Sequence, residues 1–198
     1  MEIETFILVG GRSSRMGSDK ATLRLGGVTL AERLTAIAGE AFPGAPVTLV
    51  AAGPEQFSDL PVVIDVYPDR GPLGGLHTAL THAKTEWIFL AGCDLPFITA
   101  GLISRLCNLR TNETDAVVPV QSDGIVQPLC ALYRVDPCLK KAHEMLEKTE
   151  TPSLRDFLDE ISTHRVGFDE ISDLPGSESF FLNINTPADL ERAQSLCV

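Results

Sequence analysis

A chain of 198 residues, 44% of them hydrophobic, has the length and apolar content for one full-sized globular core. Its formal charge of −11 excludes a broad nucleic-acid-binding face, which needs a basic excess, and no apolar run reaches membrane-spanning length. Five cysteines, at 93, 107, 130, 138 and 197, include no Cys-x-x-Cys pair, so buried thiols in a reducing cytoplasm are expected rather than disulfides or a zinc site. The N-terminal Met1-Glu2-Ile3-Glu4 is acidic and does not resemble a signal peptide.

In chain order, Phe6-Ile7-Leu8-Val9 is short, apolar and closed by Gly10-Gly11, the pattern of a buried parallel strand feeding a loop. A helix follows over Leu30–Phe42, with Thr29 and Glu32 at capping-box spacing. Val47–Val50 and Val62–Ile64 are the next strands. Gly71-Pro72-Leu73-Gly74-Gly75 then leads into a helix carrying Leu76, Ala79, Leu80 and Ala83. Trp87–Ala91 is a further apolar strand, ended by Gly92-Cys93-Asp94. A helix near Thr99–Leu109 and a strand at Ala116–Pro119 continue the alternation. Gln121-Ser122-Asp123-Gly124 reads as a hairpin turn between strands near Val117–Val120 and Leu129–Tyr133. Asp136-Pro137 offers N-cap and N1 chemistry for a helix, Ser153 and Asp156 a weaker capping pair, and Thr186-Pro187-Ala188-Asp189 the start of a last helix. Strands alternating with helices, with no linker between them, predict a single domain over residues 1–198. Its fold class is α/β, a Rossmann-like three-layer α/β/α sandwich with a mainly parallel sheet. Such sheets bind ligands at their carboxyl edge.

The chemistry concentrates after the first strand, in Gly10-Gly11-Arg12-Ser13-Ser14-Arg15-Met16-Gly17-Ser18-Asp19-Lys20. The glycines let backbone N–H groups approach anionic oxygens, Arg15 can grip phosphate with two N–H donors, and Lys20 adds a point charge. In an acidic protein, this is the local positive charge that a polyanionic substrate requires. The spacing is neither a Walker A loop nor a dinucleotide fingerprint. Asp94 leaves a buried strand at the ligand edge, where a hard carboxylate suits magnesium, although Asp-x-Pro is also common turn chemistry. Asn183 and Asn185 flank Ile184 at strand spacing and should share a face, with Thr186 the better helix cap. His77 and His82 have no partner at metal-ligand spacing and read as surface or partly packed side chains. Gly-x-Ser-x-Gly does not occur.

The loop from Gly10 to Lys20 resembles the signature of MobA-like nucleotidyltransferases. Three further segments match in the same order: Gly71-Pro72-Leu73-Gly74-Gly75, Cys93-Asp94-Leu95-Pro96, and Asn183-Ile184-Asn185-Thr186-Pro187-Ala188-Asp189-Leu190. The last narrows the resemblance to the molybdenum cofactor guanylyltransferases. That resemblance implies transfer of GMP from GTP to the terminal phosphate of molybdopterin or its molybdenum form, dependent on Mg²⁺. It also implies transient contact with cofactor-biosynthesis or molybdoenzyme-maturation proteins. Leu8, Val9, Gly10, Gly11, Lys20, Asp65 and Asp94 are assigned to the nucleotide by this resemblance, with Asp69 a nearby competitor of Asp65. Asp94 is assigned to the metal, and Arg15, Arg155, Asn183 and Asn185 to the molybdopterin side, with Arg15 and Lys20 also offsetting charge during transfer. The chain departs from the family in having Val9 where alanine is usual, and Ala51 or Ala52 where some members have asparagine. Both departures bear on base selection, so CTP as donor stays an alternative. Another phosphorylated acceptor, or a non-catalytic nucleotide-binding adaptor, also stays open.

Overall fold

The structure, a computed structural model, describes residues 2–9, 23–53, 60–148 and 153–196. Six segments of this sequence satisfy the pairing that a parallel sheet demands, and one runs against them. The strands are β1 (Ile3–Leu8), β4 (Val47–Ala51), β5 (Val62–Ile64), β6 (Trp87–Gly92), β7 (Ala116–Pro119), β8 (Cys130–Arg134) and β9 (Thr163–Val166). They lie in the order β5-β4-β1-β6-β8-β7-β9. Only β8 is antiparallel to its neighbours, β6 and β7. The pairs β1·β4, β1·β6, β4·β5 and β7·β9 are all parallel. A two-residue hairpin, β2 (Arg24–Leu25) with β3 (Val28–Thr29), stands apart from this sheet.

Alternation along each central strand divides its apolar residues between two layers. On β1, Ile3 and Ile7 face one core while Phe6 and Leu8 face the other; on β6, Trp87, Phe89 and Ala91 oppose Ile88 and Leu90. The first face is covered by α1 (Leu30–Ala41) and α3 (Ala100–Asn108). The second is covered by α2 (Gly71–His82), α4 (Val135–Leu146) and α5 (Leu154–Asp159). A smaller cluster of Leu25, Leu30, Ile184 and Ala193 seats α6 (Pro187–Ser195) beside β2. This is the three-layer sandwich with a mainly parallel sheet that the strand–helix alternation predicts. Two-sided burial explains why its strands read as continuous apolar runs.

Local signals set the helix starts. Thr29, Ser153 and Thr186 each form a complete capping box, with Glu32, Asp156 and Asp189 respectively. Each such cap stabilises by about 1 kcal/mol. The expected start at Asp136-Pro137 is corrected: α4 begins at Val135 behind Arg134, with no side-chain cap, and Asp136 falls in its first turn. The chain enters α4 directly from β8, with Arg134 in the N-cap position and Val135 N–H bonded to the Glu86 carbonyl at 2.9 Å. The Gly71–Gly75 segment, read as leading into a helix, is itself the opening of α2. The hairpin turn is present, with Gly124 N–H bonded to the Gln121 carbonyl at 2.9 Å and Gly124 at φ 83°. Strand β9, the β2·β3 hairpin and two short 3-10 turns carry too weak a pattern to be read from sequence.

Candidate active site

The carboxyl ends of β1, β4, β5 and β6 form one edge, stitched by backbone hydrogen bonds. Val9 N–H donates to the Val50 carbonyl at 3.0 Å, Cys93 N–H to Leu8 at 3.1 Å, and Asp65 N–H to Ala51 at 2.7 Å. Ile184 N–H donates to the Asp94 carbonyl at 3.0 Å, so the Asn183–Asn185 segment is pinned beside Asp94. Gly10, Gly11, Arg15 and Lys20 lie outside the described residues.

Asp94 is half-buried just past β6. A Cβ added at Gly92 would lie 2.7 Å from Asp94 Oδ1 and 3.3 Å from Leu129 Cβ. The carboxylate therefore turns back over the glycine, whose own N–H donates to the Leu129 carbonyl at 2.8 Å. Leu129 in turn walls an open cleft of about 420 Å³, together with Pro72, Val126, Pro128, Ser153, Leu154, Arg155 and Leu158. The Gly92–Leu129 hydrogen bond thus ties the strand end that carries Asp94 to one wall of this cleft, and Arg155 in its lining is exposed on α5. The loop after Asp94 is held by Arg33, whose Nε donates to the Pro96 carbonyl at 2.7 Å and whose guanidinium lies 5.7 Å from the Phe97 ring centre.

Asn183 is half-buried and Asn185 exposed, while Ile184 between them is fully buried. Thr186 is the N-cap of α6, as expected. Arg155 and the asparagines, grouped together by resemblance, are carried by different layers: α5 packs with α2 and α4, whereas Ile184 packs with α1 and α6. The Gly92–Asp94 segment bonds to both neighbourhoods, through Gly92 N–H to the Leu129 carbonyl and through the Asp94 carbonyl to Ile184 N–H.

Asp65 stands at the end of β5. Neighbouring strands are about 4.8 Å apart, so three steps across the sheet separate it from β6 by about 14 Å. Asp65 and Asp94 cannot serve one metal ion. Among the described residues no group of three or more His, Cys, Asp or Glu side chains is placed to hold a metal. Asp65 Oδ1 accepts from Tyr67 N–H at 2.9 Å and from Thr78 Oγ1–H at 2.8 Å. Its competitor Asp69 is exposed on the following turn.

Leu8 and Val9 divide between the layers. Leu8 packs against Gly75, where an added Cβ would come within 2.9 Å of its Cδ2. The Val9 side chain is buried in the core facing α1 and α3. Period-two alternation puts this side chain on the same face as Ile3 and Ile7, while its backbone N–H stays in the edge ladder through the Val50 carbonyl. Of the two candidates for the other departure, Ala51 is buried and Ala52 exposed.

His77 is also corrected. It is 8% exposed, because α2 packs on α4 and brings its ring to 5.0 Å from Tyr67 and 5.7 Å from His143. Burial lowers its pKa, His143 lowers it further, and Asp65 opposes both. Burial raises the Cys130 and Cys138 thiols far above their ordinary range and Cys107 to about 11, so none of these is a ready nucleophile. Sequence patterns gave no reason to single out Thr78 or Arg33, since each acts only through a loop distant in the chain.

The MobA-like NTP transferase domain model matches residues 5–166. A Carboxydothermus hydrogenoformans protein named "Probable molybdenum cofactor guanylyltransferase" is 35% identical over 190 residues, covering 94% of this chain and 92% of its own. The Vibrio cholerae molybdenum cofactor guanylyltransferase is 34% identical over 197 residues, covering 96% and 90%. Molybdopterin-guanine dinucleotide biosynthesis protein A from Archaeoglobus fulgidus superposes with a TM-score of 0.82 over 98% of each chain at 22% identity, a likeness of fold. No helix among the described residues is long and apolar enough to cross a membrane. On its family match and these relatives, the chain belongs to the MobA-like NTP transferases and, within them, to the molybdenum cofactor guanylyltransferases.

Proposed function

We propose that this chain transfers GMP from GTP to the terminal phosphate of molybdopterin, with or without its metal, in the cytoplasm. An oxygen of the acceptor phosphate attacks the α-phosphorus. The bond from that phosphorus to the bridging oxygen breaks, and pyrophosphate leaves with the electron pair. Such transfers depend on alignment and charge neutralisation and need no protein nucleophile.

The observation that carries this reading is at Gly92, over which the Asp94 carboxylate turns and whose N–H bonds at 2.8 Å to the carbonyl of Leu129, a wall of the Arg155-lined cleft. A nucleotide laid along the edge would have its base and ribose near Asp65 and Ala51–Ala52, and its phosphates near the ends of β1 and β6. Arg15 and Lys20 would offset the triphosphate charge, with backbone N–H groups of Gly10 and Gly11 aligning it and Leu8 and Val9 supporting the turn. The acceptor would lie between Arg155 and the paired asparagines. Asp94 fits a magnesium ion, which favours one or two carboxylates with the remaining ligands from phosphate and water. When bound, that ion would supply charge neutralisation at phosphate oxygens.

The test is purified protein with molybdopterin, MgCl₂ and each of GTP, CTP and ATP, followed by pyrophosphate release and mass spectrometry of the product. GMP incorporation is expected with GTP, and Asp94→Ala is expected to lower turnover by at least about a hundredfold while retaining nucleotide binding. Preference for CTP, or no pyrophosphate with any nucleotide, would overturn the assignment.

A further inference from the structure

We propose that Thr78 is a positioning residue for the nucleoside end of the site, acting by holding the Asp65 carboxylate in place. The inference rests on the reading of Asp65 as a nucleotide contact. Thr78 lies on the inner face of α2, is fully buried, and uses its hydroxyl twice. It donates to Asp65 Oδ1 at 2.8 Å and accepts from Val66 N–H at 3.1 Å. Tyr67 N–H donates to the same Oδ1 at 2.9 Å. With Asp65 N–H bonded to the Ala51 carbonyl at 2.7 Å, the residue is fixed from both its backbone and its side chain.

This arrangement commits one carboxylate oxygen to the protein and orients the other. Among the described residues, Oδ2 accepts no hydrogen bond, so it is the oxygen left to receive an N–H or O–H donor from a nucleoside. A carboxylate held by two donors loses no rotamer freedom when it binds, which is the physical basis of preorganised affinity. A turn made only for structural reasons would need Thr78 to satisfy Val66 N–H. It would not need the hydroxyl proton to be spent on the half-buried acid beside Ala51.

The test is calorimetric titration of GTP with MgCl₂ into the full chain carrying Thr78→Val, Thr78→Ala, Thr78→Ser, Asp65→Asn, or Thr78→Val with Asp65→Asn. Circular dichroism melts identify the folded variants, and Thr78→Ala serves where the extra methyl of valine prevents folding. Loss of one charge-assisted hydrogen bond is expected to raise the Kd for GTP about tenfold in Thr78→Val or Thr78→Ala, with Thr78→Ser close to wild type. Asp65→Asn should weaken binding similarly, and the double variant no further, because both changes break one device. In turnover, KM for GTP should rise while kcat holds, since Asp65 lies three strands from Asp94. Wild-type affinity in a folded Thr78→Val or Thr78→Ala variant, beside a weakened Asp65→Asn, would overturn the role of Thr78 alone. Wild-type affinity in Asp65→Asn would overturn the nucleotide reading of Asp65 and this inference with it.

Discussion

Replacing Gly74 by alanine should destabilise the protein, although alanine is the better helix former. Gly74 lies in the second turn of α2, where an added Cβ would press into the Tyr67 carbonyl oxygen, with Tyr67 Cβ at 3.0 Å and its carbonyl carbon at 3.3 Å. The obstacle is backbone, and that carbonyl already accepts from Arg70 N–H at 2.9 Å, so it cannot swing aside alone. Overpacking of this kind costs about 1–3 kcal/mol, against a gain of at most about 1 kcal/mol from helix propensity. A net loss of about 1–2 kcal/mol should lower the urea midpoint by about 0.5–1 M at an ordinary slope. Gly39 in α1 supplies the control, since it is exposed and an added Cβ there meets nothing within 4 Å. Gly39→Ala should raise stability by about 0.5–1 kcal/mol in the same urea titration. The turn that Gly74→Ala displaces also carries Asp65, so GTP affinity should fall with stability. A Gly74→Ala protein at least as stable as wild type would refute the close-packing argument.

At Gly92, an alanine Cβ would stand 2.7 Å from Asp94 Oδ1 and force the carboxylate to turn. Turnover should fall by about a hundredfold with a far smaller change in melting temperature, and unchanged turnover would remove Asp94 orientation from the mechanism. His77 predicts the sign of an acid response. Its pKa is lowered on folding, so the unfolded chain takes the proton first. Stability from this group is fully present above the ordinary histidine value of about 6.5 and is lost as pH falls through it towards the folded value. Melting temperatures taken from pH 8 to pH 5 should therefore decline more steeply for wild type than for His77→Gln. The other groups facing the ring, His143, Tyr67 and Asp65, stay in both proteins, and equal slopes would exclude His77 as a source.

Much of this protein is written locally. The runs ending at Val9, Val50, Ile64 and Ala91 become strands because β-branched and apolar residues sit between turn formers. Thr29, Thr186 and Ser153 begin helices because a side-chain oxygen and an acid three residues later can satisfy the first orphan donors. Placing Asp94 at the carboxyl edge of the sheet needed only the knowledge that it follows a buried parallel strand. Tertiary structure decided which face each residue of a continuous apolar run would take. Sequence alone could not say that Val9 turns into the core while Leu8 lies on Gly75, because two-sided burial erases the polar alternation that marks orientation. It also decided that His77 is buried, that α4 starts at Val135, and that Arg155 and the asparagines stand on different layers. These outcomes depend on pairings far apart in the chain, such as Thr78 with Asp65 across the β5–α2 turn, Arg33 with Pro96, and Leu129 with Gly92. A local pattern records what a residue can do, and only the packed fold decides which neighbour it does it to.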